Sequence, residues 1–200
     1  MKLCKLLLAA LGASVLLGAL VSSASARNLE ISNQRIRSTW SSVRFVGGFG
    51  EPDCHVTLEG SLHSRTMAKV IGSLIGFITS AILSNCVNGT ATILRETLPW
   101  HVRYSGFQGA LPNITSLIVH VIGAGFRIRE TFGITCLALT SAAEPGTGTF
   151  HRSTASRVLT EAGIGGEIET TCGIRGRLQS VSGTVSLQGT ASTRITVNLI

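Results

Sequence analysis

The sequence is short of charge, of acid, of lysine and of aromatic rings. Charged residues make up 14% of its 200 positions, against about 25% in an average soluble chain. Aromatic residues are 5%, and only 4 prolines occur. These shortages exclude an aromatic-girdled outer-membrane barrel, a mucin-like stalk and a collagen. Asp53 is the sole aspartate, so a Ser-His-Asp triad has one possible acid or must use a glutamate. The motifs that carry chemistry are missing as well. There is no C-x-x-C, H-E-x-x-H, framed G-x-S-x-G, Walker loop or G-x-G-x-x-G. The histidines, His55, His63, His101, His120 and His151, are scattered. Nothing in this set calls for a metal, a cofactor or a nucleic-acid partner. Hydrophobic residues at 44% exclude disorder as the main state.

What is present begins with an export signal. Lys2 and Lys5 precede an uncharged apolar run over residues 6–21, and Ala24-Ser25-Ala26 is an A-x-A cleavage site. Residues 1–26 are therefore expected to be a signal peptide and 27–200 one secreted domain with no membrane span. Loss of the two leader lysines lowers the formal charge from +7 to +5. Cys4 leaves with the leader. Cys54, Cys86, Cys136 and Cys172 remain, and an even count in an exported chain reads as two disulfides. Three connectivities are open. Cys54–Cys86 with Cys136–Cys172 is favoured, because short separations are commoner in sequential β-meanders.

The body alternates short apolar runs with Gly, Ser and Asn, the pattern of many short strands. Val56, Leu58, Gly60 and Leu62 share one face of a strand, with Thr57, Glu59 and Ser61 on the other. Ile195, Val197 and Leu199 alternate likewise. Further strands are expected over 35–45, 91–98, 101–107, 116–122, 126–131, 134–139, 156–160, 167–171, 173–179 and 183–187. Gly163-Ile-Gly165-Gly166 reads as a turn. The stretch 67–83 has apolar residues at helical spacing (Met67, Val70, Ile71, Leu74, Ile75, Ile78 and Ile82), but Gly72 and Gly76 would each cost a helix about 1 kcal/mol. A long strand, bent at a glycine and buried on both faces with Val70, Leu74, Ile78 and Ile82 inward, is preferred. The fold class expected is an all-β antiparallel β-sandwich, jelly-roll or Ig-like, stapled by two disulfides.

Three segments are familiar in order: Cys54-His-Val-Thr-Leu-Glu-Gly60, Leu98-Pro99-Trp100 and Cys172-Gly-Ile-Arg-Gly176-Arg-Leu178. Through them the chain resembles a group of secreted β-rich proteins of actinobacterial type and, more loosely, the protein activator of alkane oxidation family. The likeness spans roughly residues 54–180. The chain departs from that pattern in the apolar 67–83 stretch and in arginines that replace small polar residues. The resemblance implies secretion and a β-rich fold, and carries over no catalytic residue.

Arginines recur at i and i+2: Arg35 and Arg37, Arg127 and Arg129, Arg175 and Arg177. On a strand such pairs share a face, and guanidinium suits carboxylate, sulfate and phosphate. They are candidate anion-binding residues for an acidic cell-envelope polymer or lipid surface. Three functional readings follow. The leading one is a secreted or cell-surface, non-catalytic protein with a structural or binding role at the cell envelope. The second is a carrier of an apolar small molecule, which requires a cavity between the sheets. The third is a secreted hydrolase, which requires a Ser or Glu hydrogen-bonded to a histidine in a cleft.

Overall fold

A computed structural model describes residues 28–47, 51–131, 133–172, 176–189 and 193–200. The expected leader and Arg175 lie outside the described residues. The strands are β1 (Asn28–Ile31), β2 (Arg35–Val46), β3 (Asp53–Leu62), β4 (Thr66–Ala68), β5 (Leu74–Val87), β6 (Gly89–Ile93), β7 (Trp100–Ala110), β8 (Asn113–Ile122), β9 (Gly125–Glu130), β10 (Thr135–Leu139), β11 (Gly146–Arg152), β12 (Leu159–Thr170), β13 (Gly176–Ser180), β14 (Thr184–Leu187) and β15 (Val197–Leu199). One 3₁₀ turn over Arg95–Thr97 precedes β7.

The fold is all-β, with antiparallel layers packed across an apolar interior and stapled by Cys54–Cys86 and Cys136–Cys172. Both edges of this sandwich are joined. The hydrogen-bonded order runs β11-β8-β7-β5-β3-β2-β13-β12, and β12 pairs back onto β11. The eight strands thus form a ring, and around it they fall in chain order: a meander, without the Greek-key crossings of a jelly roll or an Ig-like sandwich. Strand β14 continues the line of β13, pairing with β2 over residues 36–39, next to the 43–46 stretch that pairs with β13.

Alternation along β2 and β3 sends apolar side chains inward and polar ones outward. On β2 and β3, Trp40, Phe45 and Val56 are buried. On the outer face, Arg37 lies 3.4 Å from Glu59, and the Thr39 and Thr57 hydroxyls are 3.3 Å apart. That is the reverse of a lipid-facing barrel, which is apolar outside and polar within. Among the described residues no helix is long and apolar enough to cross a membrane.

Two small sheets close the ends. At the lower end, β1 pairs with both β15 and β4, placing Leu29, Ile31, Met67 and Val197 in the core. At the upper end, β6, β9 and β10 extend a sheet from the last turn of β12. Phe126 from β9 stacks edge-on against Phe45 at 5.2 Å and lies 5.4 Å from Trp100. Both disulfides belong to this end. Cys54 opens β3 and Cys86 closes β5, while Cys136 on β10 reaches Cys172 just past β12. Each closes a loop of 30-odd residues, worth about 3–4 kcal/mol in the chain-entropy account.

Four expectations change. Residues 67–83 are β4, a turn and the start of β5. Val70, Leu74 and Ile82 are exposed, and the inward residues are Ile75 and Ile78. Val70 lies between β4 and β5, and along β5 the register is irregular, shifting between Leu74 and Gly76 against β7 and opposite Glu59 and Gly60 of β3. Residues 91–98 are β6 followed by the 3₁₀ turn, so β6 pairs with β9 and not with β7. The run 163–166 lies inside β12, paired with β11 and β13. Residues 146–152, not expected as a strand, form β11.

Tyr104 on β7 is buried, and burial pushes its hydroxyl above its ordinary value near 10. The fold therefore favours the neutral phenol. Stability from this source is complete below about pH 10, where unfolded tyrosine begins to ionise, and falls as pH rises toward the folded value. Urea midpoints between about pH 9 and 11 should decline in the native chain, and less steeply in Tyr104→Phe. Equal slopes would show that Tyr104 is not the group responsible.

Candidate functional site

The ring is not filled. A cavity of about 120 Å³ occupies its centre, and all eight ring strands contribute to the wall. Trp40, Leu58, Trp100, Leu117, Val119 and Phe150 are among the lining residues. Gly60, Gly146 and Gly148 also line it, so three positions on the wall carry no side chain. An eight-stranded barrel is just wide enough to be packed solid or to hold one small ligand. Here glycine on the wall tips the balance toward space. At the upper end the lining includes Phe45, Trp100 and Phe126; at the lower end it includes Ile31, Met67 and Leu159.

Gly60 is required by the backbone itself. A Cβ there would collide with the carbonyl oxygen of Phe77 on β5. This close approach sits at the β3–β5 bulge.

Besides Ser38, Ser61 and Thr147, four polar side chains line the wall, and these four are already committed. The indole N–H of Trp40 donates to the carbonyl of Ala162 at 2.8 Å. That of Trp100 donates to the Thr97 hydroxyl, also at 2.8 Å. Glu59 is engaged by Arg37 and by the Gln188 amide at 3.2 Å. Thr140 turns its hydroxyl to the backbone N–H of Ala124 at 2.8 Å. A guest would thus be held by dispersion and by exclusion from water, with no ion pair to orient it.

No known family, curated protein or solved structure matches the chain.

Two serine–histidine pairs do occur. The Ser116 hydroxyl lies 3.1 Å from His151 Nδ1, and the Ser105 hydroxyl 3.0 Å from His120 Nε2. Both are cross-strand pairs, Ser116–His151 between β8 and β11 and Ser105–His120 between β7 and β8. Neither pair lines the cavity. Among the described residues neither imidazole is hydrogen-bonded to a carboxylate. The orienting acid and the enclosed cleft of a hydrolytic triad are therefore not assembled around them. No group of three or more His, Cys, Asp or Glu among the described residues could hold a metal ion.

The paired arginines are spread over the molecule. Arg35 and Arg37 share β2, with Arg37 engaged by Glu59. Arg127 and Arg129 share β9 in the upper sheet. Arg177 on β13 lies 3.9 Å from Glu167. Sequence reasoning named a cavity between the sheets only as the requirement of the carrier reading and did not place it. The available signal was glycine at strand positions whose alternate neighbours are apolar, as in Gly60 between Leu58 and Leu62.

Trp100 is both wall and packing element, at 1% exposure. Its replacement by Ala should cost about 3–5 kcal/mol. Chemical denaturation of Trp100→Ala measures that loss. A change under about 1 kcal/mol would mean that the ring contributes little to the core.

Proposed function

We propose that this protein is a non-catalytic carrier that encloses one small apolar molecule in its barrel, in an extracellular or cell-surface setting. The apolar cavity at the centre of the ring carries the reading. Its volume of about 120 Å³ is close to that of a core cavity of about 150 Å³ lined by Leu, Ile and Phe that stays dry and binds benzene or xenon. The occupant is thus of the size of a single benzene ring or a short aliphatic chain. A structural role would be served as well by a filled core. The export signal and two disulfides support the setting, since disulfides persist in oxidising compartments.

Trp40 and Trp100 are the chain's only tryptophans, and both line the cavity. Their fluorescence therefore reports occupancy directly. Titration of the oxidised chain with benzene should give a saturable change in emission and a rise in melting temperature. Val119→Phe, which places a ring in the cavity, should abolish both while circular dichroism shows the fold retained. An unsaturable response in the native chain, or an equal response in Val119→Phe, would reject the carrier reading.

A further inference from the structure

A second cavity lies at the lower end, where the β7–β8 turn meets β15. It measures about 110 Å³ and is lined by Pro112, Asn113, Arg152, Arg157 and Leu199. None of these residues lines the central cavity. The central cavity is apolar, whereas two arginines line this one.

Arg152 ends β11 and is buried, with 7% of its surface exposed. Its Nε donates to the carbonyl of Val197 at 2.8 Å and its Nη1 to the carbonyl of Ile114 at 2.9 Å. Those bonds tie the closing strand β15 to β8. They use two of the five N–H donors of a guanidinium, and carbonyl oxygens carry only partial charge. Among the described residues Arg152 meets no carboxylate. A buried charge without a counter-charge is costly, and it is normally paired.

Arg157 adds a second positive charge to the same space. Burial, and then the field of Arg157, lower the proton affinity of Arg152. Two like charges therefore act on one another, and among the described residues no acid pairs with Arg152, an arrangement that stability alone would disfavour. Arg157 is also held at φ +60°, a region uncommon for a residue with a side chain. The turn fixes it there: the Arg157 N–H donates to the carbonyl of Ser153 at 2.8 Å, and its own carbonyl accepts from the Val197 N–H at 2.9 Å. Strained residues of this kind cluster at ligand clamps. Arg157 Nη1 makes one long contact, 3.4 Å, to the side-chain oxygen of Asn198.

We propose that the Arg152–Arg157 cavity binds one small oxyanion, of the phosphate, sulfate or carboxylate class. Guanidinium forks match the planar or tetrahedral oxygens of such ions with short charge-assisted hydrogen bonds. Asn113 lines the same cavity. The volume admits a polyatomic ion, well beyond the single water that a cavity of about 10–15 Å³ would hold. The bound anion would neutralise Arg152 and join β11, β15 and the β7–β8 turn.

The test uses the oxidised mature chain in chloride, phosphate, sulfate and acetate at equal ionic strength. Phosphate, sulfate or acetate should raise the melting temperature saturably above chloride, because the site exists only in the folded state. Arg157→Gln removes an exposed charge and leaves the buried Arg152 in place. It should weaken the response about ten-fold or more, whereas Arg127→Gln, in the upper sheet, should leave it unchanged. A response to acetate matching that to phosphate assigns the site to carboxylates. A response to phosphate and sulfate alone assigns it to tetrahedral oxyanions. No anion response beyond chloride, or equal responses in Arg157→Gln and Arg127→Gln, would overturn the proposal.

Discussion

Strand β11 is hydrogen-bonded on both flanks, to β8 over residues 146–151 and to β12 over residues 147–152. Everything else about the molecule follows from that double pairing. Without it the ring strands would form an open sheet with two bare edges, and bare edges invite pairing with other chains. With it the backbone groups of both edges are satisfied and the sheet acquires an inside. An inside that is apolar on every strand then has to be sealed from water. The two small sheets cover its ends, one built from both chain-distant strands β1 and β15, the other hung from the end of β12.

Closure also explains where the covalent links sit. The upper sheet is made of short strands inserted between ring strands: β6 between β5 and β7, β9 and β10 between β8 and β11. Short strands on a small sheet bury little area each and would open readily. The Cys54–Cys86 bond ties the start of β3 to the end of β5, just before β6, and Cys136–Cys172 ties β10 to the end of β12. The lower sheet carries no cysteine. It relies on burial of Leu29, Ile31, Ile195 and Val197, and on Arg152, whose guanidinium bonds β15 to the ring.

Much of this was legible in the sequence, for physical reasons that also mark the limits. Strands with one apolar face announce themselves by period two, so the inward set from Val56 to Leu62 was read correctly, as was the final strand. The favoured disulfide pairing matches because sequential antiparallel strands bring near neighbours in sequence together. The closing strands were legible only in part: strands were expected over 156–160 and 167–171, at the two ends of β12, but not through its middle and not at β11. β11 begins Gly146-Thr-Gly148-Thr and β12 contains Gly163-Ile-Gly165-Gly166, and glycine normally signals a turn or a weakened strand. In this fold glycine serves close approach. Gly166 adopts φ +116°, and a Cβ there would meet the carbonyl oxygen of Pro145 at 2.9 Å. Residues 67–83 misled in the opposite sense. Their apolar run looked doubly buried, whereas Val70 lies between strands and the register along β5 shifts against both neighbours. The arginine pairs were visible, but the two arginines that share a cavity, Arg152 and Arg157, are five apart in sequence and joined only by the fold.

The same glycines bear on why the barrel is hollow. At the slope of about 24 cal/mol per Å³ found for core truncations, an empty space of about 120 Å³ costs on the order of 3 kcal/mol relative to a filled one. That is a large fraction of the 5–15 kcal/mol that separates a folded domain from its unfolded chain. Part of the void is forced, since Gly60 has no room for a Cβ against β5. Gly146 is different. A Cβ built there makes only ordinary contacts, 3.4 Å to the Thr140 methyl at the nearest. Neither sterics nor positive φ requires glycine at that position, so an alanine methyl would be accommodated there and would reduce the loss. An apolar guest recovers the lost dispersion contacts, and with them the stability that the empty barrel forgoes. Under the proposed carrier function, the hollow at Gly146 is room for an occupant, and a loaded barrel would be more stable than an empty one.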